Sequence, residues 1–110
     1  NPSGLSDSNH YTTAYDLYLI LHEAMKDSRF VNYAGAASYN VTYTAADGSQ
    51  VTKNWRNGNR YVTGQEAPPS GVKVDAGKTG TTFAAGSCLV LASEGADGKR
   101  YISVVLIISL

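Results

Sequence analysis

An α+β fold, with a helix packed on an antiparallel sheet, is predicted by three features of this 110-residue chain. One stretch carries apolar residues at helical spacing. Two later regions alternate apolar and polar residues on either side of an Ala-Asp-Gly turn. A glycine- and proline-rich segment separates those two regions. The length suits one domain with a modest core.

The helix is expected over residues 13–27. Thr13 followed by Asp16 reads as an N-cap with an acid at the positive end, and Lys26 falls in the last turn. Ala14, Leu17, Leu21, Ala24 and Met25 form its apolar stripe, and His22 belongs to the solvated side.

Tyr39, Val41 and Tyr43 alternate with polar residues, and the alternation resumes from Val51 to Trp55. A two-residue Asp-Gly turn would set Tyr43 opposite Thr52. A three-residue Ala-Asp-Gly loop with Gly48 left-handed sets Tyr43 against Val51 and Tyr39 against Trp55. The second register groups the large apolar side chains, so it is the one expected, with Tyr39 in the core. Residues 56–71 read as irregular. Two further strands are expected over 83–93 and 100–109, around Ala96-Asp97-Gly98. The same loop pairs Glu94 with Arg100, Ala92 with Ile102, Val90 with Val104 and Cys88 with Leu106. Leu89 then meets Val105 and Leu91 meets Ser103, so this hairpin should be buried on both faces, with Cys88 an inert core thiol.

Charge and composition remove several classes of function. Nine Lys and Arg balance nine Asp and Glu, and no basic cluster stands out, so no nucleic-acid partner is expected. Cys88 is the single cysteine, which rules out an internal disulfide and a thiolate zinc site. The opening NPSGLSDSNH lacks the basic start and apolar run of a signal peptide.

Chemistry concentrates at Lys78-Thr79-Gly80, on a strand that precedes the last hairpin. A lysine ammonium and a threonine hydroxyl suit a substrate carboxylate, and a glycine leaves the strand edge bare for a peptide backbone. The N–H of the following residue, Thr81, can donate to an oxyanion. A lone Lys-Thr-Gly is weak evidence, but further blocks accompany it in order: NPSGL at 1–5, HYTTAYDL at 10–17, NGNRYV at 57–62 and GKTGTTFAAGSCLVLAS at 77–93. Together they closely resemble the serine D-alanyl-D-alanine carboxypeptidases, the low-molecular-mass penicillin-binding proteins, over nearly the whole chain.

That resemblance implies a penicillin-binding-protein/β-lactamase-like transpeptidase fold whose last three strands form an antiparallel meander. It implies that the whole protein removes the terminal D-Ala of peptidoglycan stem peptides through an acyl-enzyme, with β-lactams as covalent ligands and no metal or cofactor. Lys78, Thr79 and Gly80 then bind substrate, Thr81 supplies the oxyanion-hole N–H, and His10 has a structural, loop-bridging role. A serine β-lactamase, or a non-catalytic member that binds muropeptides or partners, are the alternatives. The NPSGL and HYTTAYDL blocks favour the carboxypeptidases over the β-lactamases.

The family's nucleophile, in Ser-x-x-Lys, and its Ser-x-Asn lie upstream of Asn-Pro-x-Gly-Leu and are expected to be missing here. Ser70-Gly71-Val72-Lys73 matches the spelling. Ser70, however, lies eight residues from Lys78, roughly 26 Å along an extended strand, and cannot face it across a cleft. Ser38-Tyr39-Asn40 opens the first hairpin and is likewise set aside. Residues 1–110 are therefore expected to be the C-terminal part of a carboxypeptidase catalytic domain, inactive alone, from a protein of the bacterial cell envelope exported by a signal upstream of residue 1. The apolar run at 101–109 would leave an unpaired strand edge, and self-association through it is expected.

Overall fold

The computed structural model describes residues 1–107. It contains two helices and five strands, in the order α1 (Ala14–Ala24), α2 (Ser28–Ala34), β1 (Ser38–Thr44), β2 (Gln50–Arg56), β3 (Lys73–Thr82), β4 (Gly86–Glu94) and β5 (Arg100–Val105). β1 and β2 form a separate antiparallel hairpin, and β3-β4-β5 is an antiparallel meander. No helix among the described residues is long and apolar enough to cross a membrane.

α1 starts where its sequence directs. Thr13 is extended, and its hydroxyl accepts from the Asp16 N–H at 3.0 Å. The helix ends three residues sooner than expected. Asp27 is extended rather than helical, and its carboxylate accepts from the Arg29 N–H at 2.8 Å, so it caps a second, seven-residue helix instead of ending the first. The expected helix over 13–27 is thus shortened to Ala14–Ala24, and a second helix that the sequence did not announce follows at Ser28–Ala34. Arg29 also pairs with Asp27 at 2.6 Å and holds that carboxyl below the ordinary aspartate range.

Both hairpins adopt the register that the three-residue loop dictates. Tyr39 lies opposite Trp55 and Tyr43 opposite Val51. In the second hairpin Glu94 lies opposite Arg100, Ala92 opposite Ile102, Val90 opposite Val104 and Leu89 opposite Val105. Gly48 (φ +85°) and Gly98 (φ +76°) take the left-handed conformation, and their N–H groups close the turns onto Ala45 and Gly95, each at 2.9 Å. Asp47 accepts from the Ser49 N–H and hydroxyl, while Asp97 accepts from the Lys99 N–H and the Tyr101 hydroxyl. The Tyr101 hydroxyl, more than the Lys99 N–H, holds the Asp97 carboxyl below its ordinary range.

Three packing expectations are corrected. Tyr39 is 65% exposed and not a core residue. The β1–β2 hairpin stands off the meander, with its aromatic side chains on one face. Its other face is a polar ladder with hydrogen bonds from Asn54 to Asn40, between Thr42 and Thr52, and from Gln50 to Thr44. The β4–β5 hairpin is covered on one face only in part, and Val105 is 48% exposed. β5 ends at Val105, so Cys88 has no ladder partner at Leu106, and the expected strand beyond Ile107 lies outside the described residues. Cys88 is half-buried, in the wall of an open cleft rather than in the core.

The core lies between the helices and one face of the meander. Leu21 of α1 and Met25, which caps its C-terminal end, pack with Ala76 of β3 and Ala92 of β4, flanked by Phe30, Val31, Ala34, Val90 and Ile102. These four are the only fully buried hydrophobic side chains among the described residues. Small residues at Ala76 and Ala92 let the helices sit close. At the opposite face the chain of residues 57–72 folds back over the meander, leaving a cavity of about 330 Å³ lined by Tyr61, Pro68, Val72, Leu91 and Tyr101.

A β-bulge at Asp75 shifts the pleat of β3 between Val74 and Ala76. Lys73, Ala76 and Lys78 thereby share the helix face, and Val74, Gly77 and Thr79 share the opposite one. Gly35, which ends α2, lies against this bulge: a Cβ there would come 2.4 Å from the Asp75 carbonyl oxygen and 2.8 Å from that of Val31. We predict that Gly35→Ala destabilises the chain by about 1–3 kcal/mol through overpacking, read as a lower urea midpoint with an unchanged slope. An unchanged midpoint would show that α2 is free to move off β3.

Candidate active-site strand

β3 is an edge strand of the meander, and its free edge has two halves. Along the first half, α2 lies on the helix face at Asp75, and the 57–59 loop lies on the opposite face at Gly77. Asn57 joins the two by donating its side-chain N–H groups to the carbonyls of Ala34, at 3.0 Å, and Ala36, at 2.9 Å. The chain is thus clasped around the strand up to Gly77. From Lys78 onward the edge is open, with only Thr79 half-buried beside Gly58. Lys78, Gly80 and Thr81 are exposed, and a Cβ built on Gly80 would meet no atom within 4 Å.

The four expected site residues therefore lie together on one bare stretch, distributed over both faces. Lys78 projects from the helix face and Thr79 from the other, as alternation requires. The Lys78 ammonium folds back along the strand to donate to the Thr79 carbonyl. Its flexible four-carbon stem lets it reach around the edge. Thr79 is half-buried, with its hydroxyl beside Gly58. The Thr81 hydroxyl lies 3.4 Å from that of Ser87, its cross-strand partner.

The residues set aside in the sequence occupy other places. Ser70 is exposed at a turn in which Gly71 has φ +79° and the Val72 N–H donates to the Pro69 carbonyl. Lys73, the matching lysine, pairs with Asp75 at 3.4 Å. Ser38 begins β1, on the stand-off hairpin. His10 has its Nδ1 3.3 Å from the Leu5 carbonyl oxygen, which bridges the two ends of the first segment. His22 is exposed on α1 and stacks near Tyr18. A cleft of about 370 Å³ between residues 4–12 and the β3–β4 turn is lined by Leu5, His10, Tyr11, Thr82, Cys88 and Leu106. It does not include Lys78 or Thr79. No cluster of three metal-ligating side chains forms among the described residues.

The sequence places Gly58 and Asn59 in the NGNRYV block without giving either a role, and it does not announce the bulge at Asp75. Asn59 is polar and lies in a loop, yet it is 1% exposed. Its backbone N–H donates to Asn57, its Oδ1 accepts from the Tyr61 N–H, and its carbonyl accepts from the Thr63 N–H. Besides that block, the signal for their packing is the Asn57-Gly58-Asn59 spacing, in which each asparagine closes a turn two residues on.

A small α+β unit with a bare Lys-Thr-Gly edge defines the class: a penicillin-binding-protein-like fold. Among solved structures, a D-alanyl-D-alanine carboxypeptidase from Mycobacterium tuberculosis is 25% identical, with a TM-score of 0.74 over 99% of this chain. A penicillin-binding protein homologue from the same organism is 26% identical, with a TM-score of 0.73 over 97%. The chain spans 38% and 37% of those proteins, respectively. The pattern of the D-alanyl-D-alanine carboxypeptidase family matches residues 1–109, and the chain belongs to that family. Curated proteins gave no match.

The two glycines of the motif region face opposite demands. A Cβ on Gly77 would lie 2.5 Å from the Val90 carbonyl oxygen and 2.8 Å from Asn59 Nδ2, whereas one on Gly80 has open space. Gly77→Ala should therefore cost about 1–3 kcal/mol, while Gly80→Ala should stay within about 0.5 kcal/mol of the parent. Thermal unfolding of the two variants side by side measures the difference, and equal losses would contradict the assignment of the bare edge.

Proposed function

We propose that this chain is the C-terminal part of the catalytic domain of a serine-type D-Ala-D-Ala carboxypeptidase, and that β3 is its substrate-binding strand. The observation that carries the reading is the bare edge from Lys78 to Thr81, in a chain whose family acts on such substrates. The two structural relatives are more than twice as long as this chain. The small core also suits a part of a larger body. The radius of gyration is 16.2 Å, against about 13 Å for a compact domain of this length.

In this reading a stem peptide ending in D-Ala-D-Ala lies extended along the free edge of β3. Its terminal carboxylate is held by the Lys78 ammonium, reaching around the edge, and by the Thr79 hydroxyl. Gly80 leaves room for the peptide backbone. The Thr81 N–H donates to the carbonyl oxygen as it gains charge in the tetrahedral intermediate. The nucleophile is the serine of a Ser-x-x-Lys segment that precedes these residues. Its hydroxyl proton passes to the neighbouring lysine as the oxygen attacks. The bond to the last D-Ala breaks, D-Ala leaves with a proton, and water releases the acyl group. β-Lactams, which mimic the dipeptide, acylate the same serine. Peptidoglycan places the protein in the cell envelope, exported by a signal before residue 1.

Removing the Lys78 ammonium tests this. In the full-length protein Lys78→Ala should lower kcat/KM for a diacyl-Lys-D-Ala-D-Ala peptide about ten- to a hundredfold, the worth of one charge-assisted hydrogen bond. Stability should hold, because Lys78 is exposed. Full activity with a lower Tm would make the motif structural.

The outer edge of β5 follows from the same reading. Val105, Leu106 and Ile107 are 48%, 39% and 50% exposed, and the rest of the domain would cover them. In the isolated chain a second copy takes that place, edge to edge through β5. Sedimentation across a concentration series should show dimerisation that Val105→Lys weakens and Thr42→Lys does not. A monodisperse monomer at high micromolar concentration would refute it.

A further inference from the structure

The 57–59 loop runs antiparallel to β3 across the face that carries Thr79. Asn59 lies against Gly77, and Gly58 lies against Thr79. A Cβ on Gly58 would come 3.2 Å from Thr79 Oγ1, so a methyl group there would press on that hydroxyl and push it aside by a few tenths of an ångström. The loop is fixed at both ends. Asn57 is bonded to the carbonyls of Ala34 and Ala36, and Asn59 is 1% exposed with its Oδ1 and backbone groups all engaged.

Asn59 Nδ2 has no hydrogen-bond partner among the described residues. A buried amide N–H without an acceptor is costly, and the turn that Asn59 Oδ1 closes onto the Tyr61 N–H does not by itself explain burying it here. Its position does. The amide fills the space over Gly77 that a side chain on that glycine would otherwise take, and it holds Gly58 over the next residue on the same face. A threonine hydroxyl has three staggered positions, and a fixed backbone beside it decides which are open.

We propose that Asn57-Gly58-Asn59 is a positioning element that sets the Thr79 hydroxyl, and with it the preference for substrates ending in a free carboxylate over those whose terminus is amidated. The inference rests on the reading of Thr79 as a carboxylate ligand. Gly58 and Asn59 act through Thr79 and do not touch the substrate.

The test compares kcat/KM of the full-length enzyme on a D-Ala-D-Ala peptide and on its C-terminal carboxamide. Wild type must prefer the carboxylate, and Thr79→Val must reduce that preference. If either fails, it is the assignment of Thr79 that falls, and this inference with it. Given both, Gly58→Ala should reduce the preference about tenfold or more, the effect of losing one hydrogen bond to a charged group. Activity on the carboxamide should stay within about threefold. Adding Gly58→Ala to Thr79→Val should change nothing further, since both act on one hydroxyl. Asn59→Ala should repeat the Gly58→Ala result, and if it does not fold, Gly58→Ala decides alone. An unchanged preference in Gly58→Ala, or equal losses on both substrates, overturns the proposal.

Discussion

The rest of the structure depends on how the free edge of β3 is divided. A strand edge exposes a row of N–H and C=O groups that will pair with whatever reaches it. Here the chain closes around the first half, through α2 on one face and the 57–59 loop on the other, joined by Asn57. The second half is left open. This single clasp connects the two helices, the irregular segment and the Lys-Thr-Gly residues. It also explains why the core can be small, since much of the order in this region comes from hydrogen-bonded main chain and close glycine contacts rather than from large buried side chains.

What was legible in the sequence was local. Thr13 and Asp16 marked the start of α1 because a cap needs only its own turn. The register of both hairpins followed from loop length and from Gly48 and Gly98, because a three-residue loop permits one pairing. The same holds for Lys78-Thr79-Gly80, a short motif on a strand whose neighbouring blocks place it in a family.

What was illegible depends on distant partners. α2 is only seven residues long and is fixed to the rest by Asn57, twenty-one residues from one of its acceptors. Asn59 reads as loop polarity and is buried because Gly77 offers a flat surface eighteen positions later. Tyr39 and Trp55 obey their register and still face outward, since alternation tells which side chains share a face but not whether anything covers it. The bulge at Asp75 has no residue signature of its own; it accompanies the close approach of Gly35.

That bulge has a consequence for how the strand can vary. An uninterrupted strand ties every residue to one alternation, so an insertion near its start would exchange the faces of everything after it. The extra residue at Asp75 works as a phase shift between two reading frames. Upstream, Val74 is set by the apolar cavity beneath the 60–72 segment. Downstream, Lys78 and Thr79 are set by their pairing with Val90 and Leu89. The two halves of β3 are thus decoupled. A change of one residue in the packing half can then be taken up at the bulge without exchanging the faces of Lys78 and Thr79.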